Sequence, residues 1–386
     1  MTLPNLPGRR EFLSQGVCAL GTFAVLGSSA RAQTQTQTGV AQSRTDVLSN
    51  ELVAKAVNFL KPRQDNKGGW STAREPGITA LVVTALLRSK RVAPAEPTVT
   101  KALAYLEQFL SPGGGLADVP HANYATAIAI MAFHEANVAG KYDSAINSGQ
   151  NFLKSKQWDE SEGKDSKDAF YGGSGYGGGK SRPDLSNTAF FMEALRDTGL
   201  PADDPGLKKA LVFVSRCQNF KSEFNDQPYA DKVNDGGFIY SAANGGESFA
   251  GKTENGGLRS YAGMTYAGLK SMIHAGLKQD DPRVKAALEY ITKNYSVDEN
   301  PGMGQAGLFY YYQTFAKALA LLGKPTLTDA TGKVHDWRAD LVGALAKRQS
   351  PEGSWINPAD RFLEGDPNLV TSYGLLALAY ARPKLV

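Results

Sequence analysis

A helix pair that recurs six times constrains this 386-residue chain more than any single motif in it. Each unit is an amphipathic helix, a Gly-rich loop that often closes on an aromatic residue, and then a helix apolar on nearly every face. The first unit runs from Glu51 to Ser89, and the last ends in NLVTSYGLLALAY. The first helix of each pair carries an apolar stripe at three- and four-residue spacing, with Lys, Arg, Glu and Gln opposite. The second places Ala, Gly, Thr and Ser where neighbours must come close. An outer ring of half-exposed helices around an inner ring of buried ones satisfies both patterns. Six pairs can close on themselves, which removes the ends that an open solenoid must cap. No strand-like alternation competes over a long run. The expected fold is therefore all-α, an (α/α)6 toroid over residues 50–386.

The N-terminus reads differently. Arg9-Arg10 precedes an apolar run from Gly16 to Leu26, and Ala30-Arg31-Ala32 offers small residues at a cleavage site. Residues 1–32 are expected to be a twin-arginine export signal, which sends the protein to the periplasm or beyond. The run is shorter than the roughly 20 apolar residues that a membrane span needs, so no stable span is expected in the mature chain. Residues 33–49, including QTQTQTGVAQSRT, read as a disordered polar linker. Cleavage removes three of the 42 basic residues and one of the 38 acidic ones, leaving a net charge of +2. That balance excludes a concentrated basic face for nucleic acid. Only Cys217 remains of the two cysteines, so no internal disulfide can form.

The helix–QxxxGGW–helix unit resembles the prenyltransferase and squalene-cyclase (terpenoid cyclase) repeat family. The resemblance rests on Phe59-Leu60 with Gln64 and Gly68-Gly69-Trp70, and on Leu345 with Gln349 and Gly353-Ser354-Trp355. Phe152-Leu153 with Gln157 supports it more loosely. The resemblance implies that the Gln caps a helix and that the tryptophans staple the outer helices, without touching a ligand.

The inner helices align on a recurring residue: Thr79, Thr126, Thr188, Thr265, Tyr312 and Thr371. Four positions earlier stand Glu75, Ala122, Asp184, Tyr261, Leu308 and Pro367. One position earlier stand Ile78, Ala125, Asn187, Met264, Tyr311 and Val370. Only the third unit is polar at both places, and residues three apart share a helical face. Asp184 and Asn187 are thus expected to point together toward the mouth or interior of the ring. Cyclases of the resembling family carry a DxDDTA-like motif at one such helix start, whose middle Asp protonates an isoprenoid. The matching stretch here is Asp184-Leu185-Ser186-Asn187-Thr188-Ala189. Ser186 holds the donor's place, and a serine proton is far too weakly acidic to protonate an alkene. The resemblance therefore implies the scaffold without that chemistry.

Candidate catalytic residues are Asp184, Ser186 and Asn187. Candidate ligand contacts are Glu75, Tyr176, Asp184, Asn187, Tyr261, Tyr311 and Tyr312. The loops at 158–182 and 219–258 are long for a compact helical domain, rich in Gly, Asn and Asp, and should share one rim of the ring. No metal or cofactor is expected: the four histidines are scattered, and no acidic residue lies two positions before Cys217. His134 and His274 read as core residues. Three functions remain open: a binding protein for a small hydrophobic, isoprenoid-like ligand; an exported enzyme of another class on the same toroid, including one acting on a glycan; or a structural partner using the Gly-rich rim.

Overall fold

The computed structural model describes residues 28–72, 75–177 and 181–382, with side chains from Arg44 onward. The chain divides into two units, Met1–Ser43 and Arg44–Val386. The second holds the whole repeat. The export-signal reading falls largely on residues 1–27, which lie outside the described residues.

The outer helices are α1 (Ser28–Leu60), α3 (Pro97–Glu107), α5 (Asp143–Ser155), α7 (Pro205–Arg216), α10 (Pro282–Lys293) and α12 (Trp337–Arg348). The inner ones are α2 (Pro76–Arg88), α4 (Ala122–Glu135), α6 (Leu185–Asp197), α9 (Ala262–His274), α11 (Leu308–Leu322) and α13 (Pro367–Ala381). A short α8 (Ala230–Val233) lies in the second long insertion, and a two-residue hairpin (Leu327–Thr328 with Val334–His335) precedes α12. α1 covers the stretch read as a polar linker. Each inner helix packs on the next, and α13 returns onto α2, so the ring is closed. Outer helices bury one stripe, such as Val99, Ala102, Leu103 and Leu106 on α3. The inner α2 buries every residue from Pro76 to Leu87.

The repeat is held by the same bonds in unit after unit. The backbone N–H groups of Trp70, Leu116, Ser174, Phe238 and Trp355 donate to the hydroxyls of Thr79, Thr126, Thr188, Thr265 and Thr371, all at 2.9–3.1 Å. The recurring Thr thus ties the Gly-rich loop to its inner helix. In the fifth unit Tyr312 has that place and reaches further, donating to the Val297 carbonyl at 2.6 Å. Gln64, Gln157, Gln218 and Gln349 each donate to a loop glycine carbonyl. Each also donates to a carbonyl of the following outer helix: Thr98, Gly206, Arg283 and, across the seam, Leu52. The Gln therefore links consecutive units as well as capping its loop. At Gly172, φ is +82° and an added Cβ would lie 1.8 Å from the Lys209 carbonyl oxygen, so only glycine admits the contact between loop and next helix.

Candidate functional site

The inner helices start around a cavity of about 410 Å³. Its position follows from helical geometry. Successive residues turn by about 100°, so a side chain two places before the recurring Thr faces nearly opposite to it. The Thr points into the wall toward its loop amide. The residues two places earlier are Gly77, Tyr124, Ser186, Gly263, Tyr310 and Leu369, and all six line the cavity. Residues four places earlier lie about 40° from the Thr and face the wall unless the helix start diverges.

This geometry sorts the expected residues. Glu75, Tyr176, Ser186 and Tyr261 line the cavity. Asp184 and Asn187 do share a face, with Asn187 Nδ2 donating to Asp184 Oδ2 at 2.7 Å. That face is turned into the wall, where Asp184 caps α6 by accepting from Asn187 N–H at 2.9 Å. Neither lines the cavity. Tyr311 and Tyr312 do not line it either. Tyr311 is fully buried and donates to the Ser296 carbonyl at 2.6 Å, so both rings are structural, while their neighbour Tyr310 faces inward.

The two long insertions meet at the mouth, as Tyr176 from the first and Tyr240 and Phe249 from the second share the lining. Phe362 and Leu363 close another part of the rim, half-exposed and with φ of 65° and 64°. Phe362 packs its ring 5.5 Å from that of Phe249. Polar groups are few. Glu75 Oε2 lies 3.2 Å from His121 Nδ1, and Tyr176 packs on His121 with ring centres 5.0 Å apart. Ser186 Oγ donates to the Tyr310 hydroxyl at 3.0 Å, and the Tyr124 and Tyr373 hydroxyls meet at 3.1 Å. Among the described residues no Lys or Arg contributes to the lining.

Tyr124 and Tyr310 escaped the sequence reading because it compared the positions one and four before the Thr, whereas the position two before it carried the signal; His121, five before Thr126, and Tyr373, two after Thr371, fall outside all of these places. His134 is exposed rather than buried. His274 is buried, and burial together with the nearby Lys317 holds its imidazole down at about 4, so it stays neutral. Among the described residues no cluster of three or more His, Cys, Asp and Glu side chains could hold a metal, and no helix is long and apolar enough to cross a membrane.

Behind the cavity wall, burial pushes the Asp184 carboxyl up to about 6, against hydrogen bonds from Asn187 and Tyr240 that draw it down. A carboxyl whose folded pKa lies above its ordinary value of 3.8 binds its proton more tightly in the native state. Its stabilisation is present below about pH 4 and is lost as pH rises through 6, a loss of roughly 2–3 kcal/mol at about 1.4 kcal/mol per unit. Asp184→Asn keeps an acceptor for the Asn187 N–H, and Asn187 Oδ1, which has no partner, can turn to accept from the new amide. Unfolding free energies from urea titrations should therefore shift in favour of the variant by that amount between pH 4 and 7. A difference that stays constant with pH would show Asp184 to titrate ordinarily.

At the opposite, C-terminal ends of the inner helices lies a second polar cluster, which the sequence reading missed. Lys270 and Glu193, both fully buried, pair at 2.6 Å. Arg88 reaches Glu135 and Asp197 at 2.8 Å, and Lys317 reaches Asp197 at 2.9 Å. Burial alone would raise the Glu193 carboxyl, but Lys270, Lys317 and Arg88 hold it well below its ordinary range. The three cations Arg88, Lys270 and Lys317 match the three anions Glu135, Glu193 and Asp197, and Lys90 reaches Glu135 from the surface at 3.8 Å.

No family model matches the sequence, and no curated protein matches it. Solved structures do match. A variant of the type II terpene cyclase MstE from Scytonema, holding its product merosterolic acid A, superposes with a TM-score of 0.55 at 15% identity, over 88% of this chain and 98% of that one. Another MstE variant, holding its substrate geranylgeranyl dihydroxybenzoate, gives 0.54 at 14% over 88% and 98%. A protein from Actinoplanes gives 0.51 at 15% over 86% and 99%. The fold is the terpenoid-cyclase-like α/α toroid. At these identities the likeness concerns architecture, and the site must be read from its own residues.

Proposed function

We propose that this toroid binds a small, predominantly apolar molecule, of isoprenoid-like character, in its central cavity, and that it does not start cyclisation by protonating an alkene. The observation that carries the reading is Ser186. It occupies the place of the cyclase acid and faces the cavity, where its hydroxyl is bonded to Tyr310 rather than to a carboxyl. Apart from Glu75, His121 and Asn300, the surrounding lining is mainly aromatic and aliphatic, and the cavity is of the size used for small-molecule sites. The fold shared with a cyclase whose structures hold a geranylgeranyl substrate and its product supports the isoprenoid character. With residues 1–32 expected to be an export signal, we propose that this binding takes place in the periplasm or the exterior.

The test is organic extraction of the purified protein with mass spectrometry, paired with a variant that fills the cavity. An added Cβ at Gly77 meets only ordinary contacts at 3.5–3.6 Å, so Gly77→Leu should fold and project its side chain into the space. The expected result is a bound apolar compound in the native protein, reduced about tenfold or more in Gly77→Leu, as expected when a cavity loses room for its ligand. Native protein without any extractable compound, and unable to take up an added apolar probe, would overturn the proposal. Turnover of squalene that is lost in Ser186→Ala would overturn its second half.

A further inference from the structure

Tyr261 stands at the N-cap of α9 and is only 4% exposed, yet its hydroxyl has no hydrogen-bond partner among the described residues. The groups that act on it most, Tyr310, Asp184, Arg361 and Glu247, do so through space and not by a hydrogen bond. Buried phenols nearly always find a partner, so an unmet one in a cavity wall calls for an explanation from outside the chain. A second unmet proton shares that wall. The Ser186–Tyr310 pair has two hydroxyl protons and one bond between them, which leaves one proton to give. Burial raises both phenols above their ordinary range, so both stay protonated donors at neutral pH.

Charge narrows what they can receive. Among the described residues, the lining holds no Lys or Arg. Arg182 is engaged with Glu247, and the Arg361 guanidinium lies over the Phe249 and Phe362 rings at 5.0 and 4.9 Å. An anionic group carried into this apolar space would lose its hydration, with no Lys or Arg among the described lining residues to pair with it and Arg361 already set over two rings. A neutral acceptor oxygen has no such cost.

We infer that Tyr261, together with the Ser186–Tyr310 pair, receives one uncharged carbonyl oxygen, of a ketone, quinone or ester, on an otherwise apolar ligand. This rests on the cavity being an apolar-ligand site, and it adds the ligand's polar group and its orientation. The carbonyl points at the start of α9, and the hydrocarbon lies against Ile78, Met264 and Leu369.

The test uses three tricyclic probes of one skeleton: fluorene, fluorenone and fluorene-9-carboxylate. Fluorenone is expected to bind about three- to tenfold tighter than fluorene, the range for a neutral hydrogen bond, and the carboxylate weaker than both. The bound fluorenone carbonyl stretch should move to lower wavenumber. Tyr261→Phe should abolish both the preference and the shift, and melt no lower than the native protein, since the hydroxyl it removes bonds to nothing among the described residues. Equal binding of fluorene and fluorenone, a carboxylate that binds as well as the ketone, or a shift that survives Tyr261→Phe would each overturn the assignment while leaving the apolar site standing. Failure of all three probes to bind would overturn the apolar site itself.

Discussion

Glu193→Gln is expected to destabilise the protein by about 3–5 kcal/mol, the range for breaking a buried ion pair from one side. Glu193 is almost fully buried. It pairs with Lys270 at 2.6 Å and lies 3.4 and 3.6 Å from Lys317 and Arg88. An amide leaves the fully buried Lys270 ammonium without a counter-charge and turns a balanced cluster into one with an excess cation. The cost is therefore mainly that of the orphaned charge, not of the lost contact. It follows that Glu193→Leu combined with Lys270→Met, which removes one charge of each sign, should recover most of the loss. Urea unfolding of the single and double variants checks this. A double variant no more stable than Glu193→Gln would show that the pair contributes net stability instead of merely avoiding a penalty.

Trp355→Ala should cost a similar amount, about 3–5 kcal/mol, as expected for emptying the space of a large core side chain. The indole is fully buried, and its Nε1 donates to the Leu345 carbonyl at 2.9 Å. Its ring lies on Gly374 of α13, where an added Cβ would come within 2.8 Å of it, so the glycine and the tryptophan are complementary. Trp355→Phe keeps much of the packing and loses the donor, which should limit the cost to about 1–2 kcal/mol. Trp70 makes the same bond to Leu60 at 2.8 Å and should behave alike. Thermal and urea unfolding of these variants distinguishes staples from ligand contacts, because a staple lowers stability with or without an added ligand.

The fold was legible because its signal is repeated. Six apolar inner helices, a recurring Thr and the Gln–Gly–Gly–Trp spacing each report the same local bonds many times over, and the bonds at Thr79 and Thr371 are nearly superposable in kind. Even so, Gln218 with Gly236-Gly237-Phe238 of the fourth unit was not matched to that spacing, because an insertion separates the glutamine from its glycines. The site was legible only in part, since it depends on direction. Asp184 stood out for its polarity, yet a helix start offers two ways for polar groups to be satisfied, and capping the helix won over facing the cavity. Tyr310 and Tyr311 differ by one residue and by about 100° of turn, which sequence alone does not resolve in a run of aromatic residues. The charge cluster was hidden for another reason. Its members come from five inner helices, and each looks like an ordinary helix-terminal charge until the ring brings the ends together.

The seam of that ring has a consequence in time. Gln349 bonds to Leu52 and Arg88 to Tyr380, joining groups separated by 297 and 292 positions in the sequence. A ribosome delivers α2 long before α13, so the apolar flank of the first pair has no partner until the last pair of the repeat has been made. Every shorter nascent chain presents two sticky ends, one at each side of an unclosed arc. Such long-range closure slows folding and prolongs exposure to aggregation. For this architecture, the final fifteen-residue helix decides when the molecule becomes a protein at all.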